Sequence, residues 1–421
     1  MRRCVKALAL AAGLVLAAGA GHARTRAVNP GTFATALAAA EPGDVLTLAP
    51  GRYVGNFRIS VPLTLSGETG TVLDGAGHGR VLEVAAPDVT IRGLVVTGSG
   101  SSLEAEDSGI FLTPDAVRAV VAGNRLENNL IGVYVKGARD ALVADNRIHG
   151  RRDPHINERG NGVQVWNAPG AVVRGNEFRY GRDGIFTTTS HDNRFLDNRF
   201  SDLRFAVHYM YTQDSEVAGN RSQGNHAGYA LMYSRRIHVH DNLSRRDRDH
   251  GILLNYVLDS EIARNAVVDG GGKCVFIYNA NINRILDNWF EHCRIGIHFT
   301  AGSERNIVSG NAFVGNRVQV KYVGTRYLDW SHRGRGNYWS DNPDFDLDGD
   351  GIGDRPYRPN GLVDRVLWAH PEARLLMKSP ALGLLRVAQE RLPLLYPGGV
   401  VDTAPLMRPT RPPIMRSEAR S

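Results

Sequence analysis

Two methionines and two histidines are spaced so that they could hold a soft metal ion. Met210 and Met232 are 22 residues apart, His208 stands two residues before the first, and His226 stands six residues before the second. Thioether sulfur and imidazole nitrogen together suit Cu(I). An apolar patch that uses methionine to fill irregular gaps is the structural alternative. The sequence therefore offers His208, Met210, Met232 and His226 as candidate copper ligands.

A glycine-rich acidic loop is a second candidate metal site. Its carboxylates are Asp344, Asp346, Asp348, Asp350 and Asp354. Alternating carboxylates around glycine resemble the first half of a Ca²⁺ loop, but the bidentate Glu of such loops is replaced by Arg355 or Tyr357, depending on register. A turn that its own Asp side chains stabilise explains the same pattern. Calcium and a self-stabilised turn both remain open at this point.

A regular spacing determines which of these residues can meet. Asparagine recurs at steps of 22 or 23 residues, with one step of 30, and Val, Ile or Phe stands three residues before each one. The series is Asn124, Asn146, Asn176, Asn198, Asn220, Asn242, Asn265, Asn288 and Asn311. Such a period is typical of stacked copies of one supersecondary unit. The sequence predicts an all-β, right-handed, single-stranded parallel β-helix whose asparagines form a hydrogen-bonded ladder.

One strand of each repeat begins with a small residue followed by an apolar one, as in Gly184-Ile185 and Gly251-Ile252. Strand alternation directs the second and fourth residues after the small one outward. None of the twenty outward positions assigned in this way holds Asp or Glu, and seven are aromatic. The predicted partner-docking face comprises Phe111, Tyr134, Trp166, Phe186, Phe276, Tyr278, His298 and Tyr322.

The chain divides into four predicted segments. Residues 1–23 read as a signal peptide with a cleavage site at Ala23, which predicts a periplasmic protein. Residues 24–322 are the β-helix, which a short helix within 31–40 caps at the N-terminus. Residues 323–360 are predicted to be Gly- and Asp-rich loops. Residues 361–421 are predicted to form amphipathic helices at 361–396 and a tail from Pro405 that is extended or disordered.

Charge and cysteine content restrict the kinds of partner and the compartment that the protein can have. The formal net charge is +7, of which Arg2, Arg3 and Lys6 belong to the leader, and an exported chain is not expected to bind nucleic acid. Cys274 and Cys293 are the cysteines that follow the leader. They either form a disulfide in an oxidising compartment or are two small buried residues.

The competing class of function is a β-helix polysaccharide lyase or uronate epimerase. The coil with the step of 30 carries an insertion near Arg151–Glu158, which contains Asp153-Pro154-His155, a tripeptide that also occurs in alginate epimerases. Ile156 follows where a second acid is wanted, and the outward slots lack the carboxylates of acid–base catalysis. The residues favour a protein that is not an enzyme, and a lectin is a third alternative.

Several longer segments together resemble the NosD family. These are FAVHYMYT from Phe205, GYALMYS from Gly228, HGILLNY from His250, GNYWSDNPDFDLDGDGIGD from Gly336 and PGGVVDTAPLM from Pro397. The resemblance implies a periplasmic β-helix mounted on an ABC permease with its ATPase. It also implies that the protein assists a copper chaperone in supplying transient copper to nitrous oxide reductase. The helices at 361–396 are then the candidate mount on the permease.

Overall fold

The computed structural model describes residues 24–418, except for 154, 301 and 325 and except for most of the segment 365–397. Within 365–397 it describes residues 370, 372, 379, 380, 384, 388 and 392. The expected leader 1–23 with its cleavage site at Ala23 lies outside the described residues. Most of the expected helices at 361–396 lie outside them as well.

The described chain winds into a solenoid of three parallel sheets. Sheet I has 13 strands: Thr25–Val28, Val45–Leu48, Thr64–Gly67, Thr90–Arg92, Val120–Ala122, Leu142–Ala144, Val172–Arg174, Arg194–Leu196, Gln213–Ala218, Arg235–His240, Glu261–Ala263, Arg284–Leu286 and Ile307–Ser309. Sheet II has 12 strands: Phe57–Ile59, Leu82–Val84, Ser108–Leu112, Ile131–Lys136, Val163–Trp166, Asp183–Thr188, Phe205–Met210, Ala227–Met232, His250–Asn255, Lys273–Tyr278, Ile295–Thr300 and Val320–Val323.

Sheet III has 13 strands: Gly51–Val54, Thr71–Asp74, Val95–Thr97, Arg125–Glu127, Arg147–His149, Glu177–Arg179, Arg199–Ser201, Arg221–Gln223, Leu243–Arg245, Ala266–Val268, Trp289–Glu291, Ala312–Val314 and Tyr338–Trp339. A separate pair joins Leu328–Asp329 to Val400–Val401. The predicted all-β parallel β-helix is therefore confirmed.

The asparagine ladder forms one continuous internal seam. Asn198 donates its backbone N–H and its Nδ2–H to Oδ1 of Asn220, each over 3.0 Å, and Asn220 repeats the pattern with Asn242. Asn198 and Asn220 are fully buried. The residue before each ladder Asn has a positive φ, for example Asp197 at 54° and Gly219 at 68°. Such a corner favours Gly or Asp at this place, because those residues enter the left-handed region at low cost.

Inward side chains on all three sheets fill the solenoid. Aliphatic and aromatic residues of successive coils stack on each other, as Phe178 does on Phe200 with ring centroids 4.9 Å apart. Buried parallel strands of this kind are rich in Val and Ile because branched side chains pack well between pleated strands. The result is a continuous solenoid in which outward residues of neighbouring coils stay in register.

A short helix covers the first coil, as expected. It spans Phe33–Ala38 and inserts Phe33 against Tyr53 and Phe57, with ring centroids 5.3 and 4.6 Å away. Phe33 is fully buried. The helix therefore shields the open apolar end of the solenoid.

The predicted end of the β-helix at residue 322 is wrong. Asn311 bonds through its N–H and Nδ2 to Oδ1 of Asn337, and Tyr338–Trp339 adds a further strand to sheet III. The step from 311 to 337 is 26 residues, which hid this coil from the 22–23 period. Asp402 closes the end of the ladder, because its carboxylate accepts hydrogen bonds from Asn337 N–H and Trp339 Nε1–H.

The C-terminal half shows two further features, one that the sequence left open and one that differs from its prediction. Cys274 and Cys293 form a disulfide and are both buried. The tail, expected to be extended or disordered, contains the helix Pro413–Glu418. Ile414 and Met415 pack on an apolar cluster that includes Trp289. The tail thus contributes to the packing of sheet III. A 3-10 turn spans Ile156–Glu158 in the inserted loop.

Candidate functional site

The two candidate methionines lie side by side on sheet II. Met210 ends one strand, Met232 ends the next, and the two are direct partners in the parallel register. Each is partly buried on the outer face of the sheet. Neighbouring strands are about 4.8 Å apart, so two flexible thioethers in this register can reach one ion.

His208 lies on the same strand and the same face as Met210. The two residues are separated by about 7 Å along the strand. The side chain of His208 is buried, at 6% exposure, between the rings of Phe186 and Phe205, whose centroids are each 5.0 Å away. Ala230 is its partner on the next strand and leaves space above the imidazole. The histidine is therefore held in place without being crowded from the following coil.

A hydrogen bond to a buried carboxylate fixes the imidazole of His208. Its Nδ1 lies 3.0 Å from Oδ2 of Asp183, whose carboxylate also accepts two hydrogen bonds from Arg204, at 2.8 and 2.6 Å. Burial of Asp183 raises its pKa, but the hydrogen bonds from His208 and Arg204 outweigh this and leave the pKa lowered. The ionised carboxylate can only accept, so Nδ1 of His208 carries a proton.

The second ring nitrogen of His208 is then the free donor atom. In the neutral imidazole Nε2 carries the lone pair, and this buried atom has no hydrogen-bond partner among the described residues. A carboxylate on the far nitrogen of a metal-binding histidine is the common outer-shell arrangement, because it fixes the tautomer and raises basicity. One imidazole nitrogen and two thioether sulfurs are thus available on one face, a donor set that suits Cu(I).

His226 does not join this set. It immediately precedes the strand Ala227–Met232, whereas Met232 ends that strand, and six extended residues span about 20 Å. Its side chain is half exposed, and its Nε2 lies 3.8 Å from Oδ2 of Asp249. The prediction that His226 is a ligand beside Met232 is wrong, because nearness in an extended chain is not nearness in space.

The predicted docking face is covered at its N-terminal end. Phe111 and Tyr134 are 3% and 4% exposed, and the guanidinium carbon of Arg80 lies 3.5 Å from the Phe111 ring centroid. Glu106 binds both Arg80 and Lys136 and so fastens the preceding loop over these rings. Burial raises the pKa of Tyr134 to about 12. The expectation that Phe111 and Tyr134 are free for docking is therefore wrong.

Tyr322 also fails as a docking residue. It pairs with Phe299 in the core and is 5% exposed, while Lys321 takes the outward slot opposite His298. A displacement of one residue in a strand turns every side chain to the other face. The outward assignment of Tyr322 was one residue out of register.

The other predicted docking residues remain at the surface to different extents. Trp166 and Tyr278 are 39% and 42% exposed, and Phe186, Phe276 and His298 are partly buried. Burial and the charges of Lys321 and Lys273 lower the pKa of His298 to about 4, so this imidazole is neutral at ordinary pH.

A row of exposed tyrosines lies beside the methionines, and the sequence had predicted only its last member, Tyr278, as a docking residue. Tyr211 and Tyr233 directly follow Met210 and Met232 at the corner between sheets II and I, and Tyr256 and Tyr278 continue the row. Successive ring centroids are 5.2, 5.0 and 5.8 Å apart. We call Tyr211, Tyr233, Tyr256 and Tyr278 the tyrosine ladder. The steps of 22 and 23 residues from Tyr211 to Tyr233 and Tyr256 match the coil period and could have revealed these three. Tyr278 lies one position earlier in its coil, in register with Asn255.

The acidic loop brings only part of its predicted set together. Carboxylate oxygens of Asp346, Asp348 and Asp350 lie within 4.8 Å of one another. Asp346, however, already accepts hydrogen bonds from the backbone N–H groups of Gly349, Asp350 and Gly351. Asp344 accepts from the N–H of Arg355 and Asp354 from that of Leu347. The loop is thus stabilised by its own side chains, and calcium binding stays a prediction that no contact here supports.

One ion pair lies within the inserted loop. Oδ2 of Asp153 is 2.9 Å from Nε of Arg151. His155 is exposed. Pro154 between them lies outside the described residues. This arrangement gives the carboxylate a structural partner within its own loop.

Comparison with known proteins shows the family. A family model described as "Periplasmic copper-binding protein (NosD)" matches residues 144–343. A Stutzerimonas stutzeri protein named "Probable ABC transporter binding protein NosD" is 42% identical over 375 residues, 86% of this chain and 86% of the relative. The chain belongs to the NosD family. A Pseudomonas aeruginosa NosD protein of the same name is 44% identical over 396 residues, 89% of this chain and 92% of that one.

Solved structures resemble this NosD chain in fold alone. The Streptococcus pneumoniae surface adhesin PfbA matches with a TM-score of 0.58 and 10% identity, over 71% of this chain and 100% of PfbA. The alginate lyase AlyF-OU02 matches with a TM-score of 0.56 and 14% identity, over 71% and 82% of the two chains. An adhesin and a lyase on the same scaffold show that the solenoid does not determine the activity.

The matched region of the NosD model contains all of the candidate copper residues, from Asp183 to Met232. The relatives carry the name of binding proteins, not of enzymes. Among the described residues, no helix is both long enough and apolar enough to span a membrane.

Proposed function

We propose that this NosD protein is a non-catalytic periplasmic accessory protein that holds Cu(I) transiently while the copper sites of nitrous oxide reductase are assembled. Its proposed partners are an ABC permease with its ATPase, a copper chaperone and the reductase itself. The family description, the relatives' name and the sequence resemblance support this proposal.

The observation that carries the proposal is the register of Met210 with Met232 beside His208, whose buried Nε2 is unpartnered. Both thioethers and the neutral imidazole are uncharged, so a bound Cu(I) keeps its positive charge. Such soft, neutral ligands favour Cu(I) over harder ions. Partial exposure of the methionines leaves one side of the ion open, which suits transfer to another protein.

The tyrosine ladder supplies the proposed docking surface in place of the covered N-terminal rings. Tyrosine is enriched at protein interfaces because it combines a large apolar ring with a hydroxyl group. A partner seated on Tyr211 and Tyr233 would lie directly beside the two methionines.

The same ladder disfavours the carbohydrate alternatives. Tyr233 is stacked between Tyr211 and Tyr256 at interplanar angles of 21° and 7°, so both faces of its ring are occupied. A sugar that stacks on an aromatic residue needs a free ring face. The ladder presents ring edges and hydroxyl groups instead, which fits a protein surface better than a polysaccharide.

Cu(I) titration against a competing chelator tests the proposal. The wild type should bind one Cu(I) at this site, and Met210→Leu/Met232→Leu should lower the affinity at least tenfold, because leucine keeps the apolar volume but has no sulfur. Met407→Leu, a partly buried methionine outside this face, is the matched control and should bind like the wild type.

Copper in the reductase is the second readout. Cells that carry the double variant should produce nitrous oxide reductase with less copper than cells that carry Met407→Leu. Equal Cu(I) affinity in all three proteins would remove the methionines from the site. Unsaturated ends formed from polyuronates by the purified wild type would instead support the lyase alternative.

A further inference from the structure

A second group of potential ligands lies on the outer face of sheet I. The strand Arg235–His240 directs Ile237 and Val239 into the core, where both are fully buried. His238 and His240 therefore point outward on the same side of the strand. His238 is exposed and His240 is partly buried.

Carboxylates flank one of these histidines, and small residues flank the other. His238 pairs in register with Glu216 on the preceding strand and with Glu261 on the following one. His240 pairs with Ala218 and Ala263, which leave space around its ring. Two imidazoles and two carboxylates thus lie on the outer face of three adjacent strands.

These four side chains line a surface groove of about 530 Å³, to which Asp192, Arg194, Asp214, Ser215 and Arg264 also contribute. We call it the sheet I groove. His240 is already oriented in it: Nδ1 lies 2.8 Å from Oδ2 of Asp241, and Nε2 lies 3.1 Å from Oε1 of Glu216. Asp241 thus holds Nδ1 of His240 as Asp183 holds Nδ1 of His208. Unlike the free Nε2 of His208, Nε2 of His240 already contacts Glu216, and a bound ion must replace that contact.

We propose that the sheet I groove binds a divalent transition-metal ion of the Cu(II) or Zn(II) class. His238 and His240 supply imidazole nitrogens, and Glu216 and Glu261 supply carboxylate oxygens. Nitrogen and oxygen donors of this kind suit Cu(II) and Zn(II) rather than Cu(I). Two histidines two residues apart on one strand, with a third ligand from the neighbouring strand, can surround one ion because strand spacing matches ligand reach.

The ligands are not yet gathered around one point. Within the described residues, only Asp346, Asp348 and Asp350 place three metal-ligating oxygen or nitrogen atoms within 4.8 Å of one another. Binding in the sheet I groove therefore requires the exposed side chain of His238 to rotate. The ion also takes Glu216 from Arg194, whose Nε lies 2.8 Å from Oε2. The affinity should consequently rise with pH, because the ion competes with protons for both imidazoles.

Titration of the full chain with Cu(II), followed by electron paramagnetic resonance, tests this proposal. We expect one saturable Cu(II) with hyperfine coupling to two imidazole nitrogens. His238→Ala and His240→Ala should each weaken binding at least tenfold and remove one nitrogen from the spectrum. Glu216→Gln should weaken binding and keep both nitrogens.

Two control variants make the result specific. His292→Ala changes another exposed histidine with a carboxylate neighbour, Asp269, and should leave Cu(II) binding unchanged. Met210→Leu/Met232→Leu should also leave it unchanged, so this inference can fail or succeed independently of the Cu(I) proposal. Thermal unfolding verifies that each variant is folded. Cu(II) affinity that is the same in the wild type, His238→Ala and His240→Ala would overturn the proposal.

Discussion

Asp183 and Asp247 are both buried, and their neighbours give them opposite protonation behaviour. Arg204 stands beside Asp183 and keeps it ionised behind His208. Asp247 accepts hydrogen bonds from the hydroxyl groups of Ser222 and Ser244 and from the N–H of Asn225. Burial dominates over these bonds and raises the pKa of Asp247 to about 6.

Replacement of Asp247 by Asn should change the pH dependence of stability. The folded pKa of about 6 lies above the ordinary value for an aspartate, about 3.9, so the folded state binds the proton more tightly. Proton binding to Asp247 therefore stabilises the folded wild type below about pH 4, and this stabilisation is lost as the pH rises through 6. Asp247→Asn lacks this loss, so its unfolding free energy relative to wild type should rise by roughly 2 kcal/mol between pH 4 and pH 7.

Urea unfolding at the two pH values measures this difference. Asp259→Asn, at an exposed turn with a positive φ, is the control and should follow the wild type. A difference between Asp247→Asn and wild type that does not change with pH would contradict the assignment.

At the residue scale, the sequence predicted the pairing of Met210 with Met232 because the two residues occupy the same position in successive repeats. It could not predict the contact between His208 and Asp183, since these residues are 25 apart and occupy different slots. It failed for His226 because a whole strand separates that residue from Met232. It failed for Phe111 and Tyr134 because the loop that covers them has no repeat to place it.

The coil is the element that positions every site on this molecule, and its buried asparagine ladder joins one coil to the next. Each ladder Asn also donates Nδ2–H to a backbone carbonyl of the preceding coil, as Asn220 does to Phe195. The ladder therefore satisfies buried backbone groups at a corner that no strand hydrogen bond reaches.

Removal of one ladder residue should be costly. Asn220→Ala leaves Asn198 N–H and the Phe195 carbonyl without partners, and buried unpaired groups cost about 1–3 kcal/mol each. We expect the unfolding free energy to fall by about 4 kcal/mol in denaturant titrations. Gln223→Ala, exposed on the neighbouring strand of sheet III, should change it by less than about 0.5 kcal/mol. If Asn220→Ala lowered the unfolding free energy by less than about 1 kcal/mol, the asparagine ladder would not be a stabilising element.

The elements themselves were largely predictable from sequence, since Asn and a β-prone residue three positions earlier mark one corner of almost every coil. The coil that contains Asn337 was missed because its step of 26 residues departs from the period. The helix Pro413–Glu418 was missed because six residues carry little periodicity, and its position depends on contacts with sheet III.

At the scale of the whole molecule, three surfaces lie side by side on the same few coils of the solenoid. The outer face of sheet II carries His208, Met210 and Met232, and the tyrosine ladder stands at the corner that leads to sheet I. The sheet I groove follows beyond that corner. Because the strands keep register, a partner on the ladder would have fixed access to the methionines.

Loss of the tyrosine ladder should therefore weaken partner binding without changing copper binding. Tyr233→Ser/Tyr256→Ser should weaken the binding of the purified copper chaperone about tenfold or more, the effect expected for buried interface tyrosines. Cu(I) affinity should remain unchanged, because neither residue is a proposed ligand.

Surface plasmon resonance with the immobilised chaperone measures partner binding. Tyr327→Ser alters another exposed tyrosine, 62% exposed, and serves as the control. Equal chaperone binding by the double variant and the wild type would place the docking surface elsewhere.

X-ray absorption at the copper edge of the Cu(I)-loaded protein tests the central claim most directly. The account predicts one nitrogen and two sulfur neighbours around copper in the wild type, and loss of the sulfur scattering in Met210→Leu/Met232→Leu. A wild-type spectrum with nitrogen and oxygen neighbours alone would contradict the claim that these methionines hold the ion.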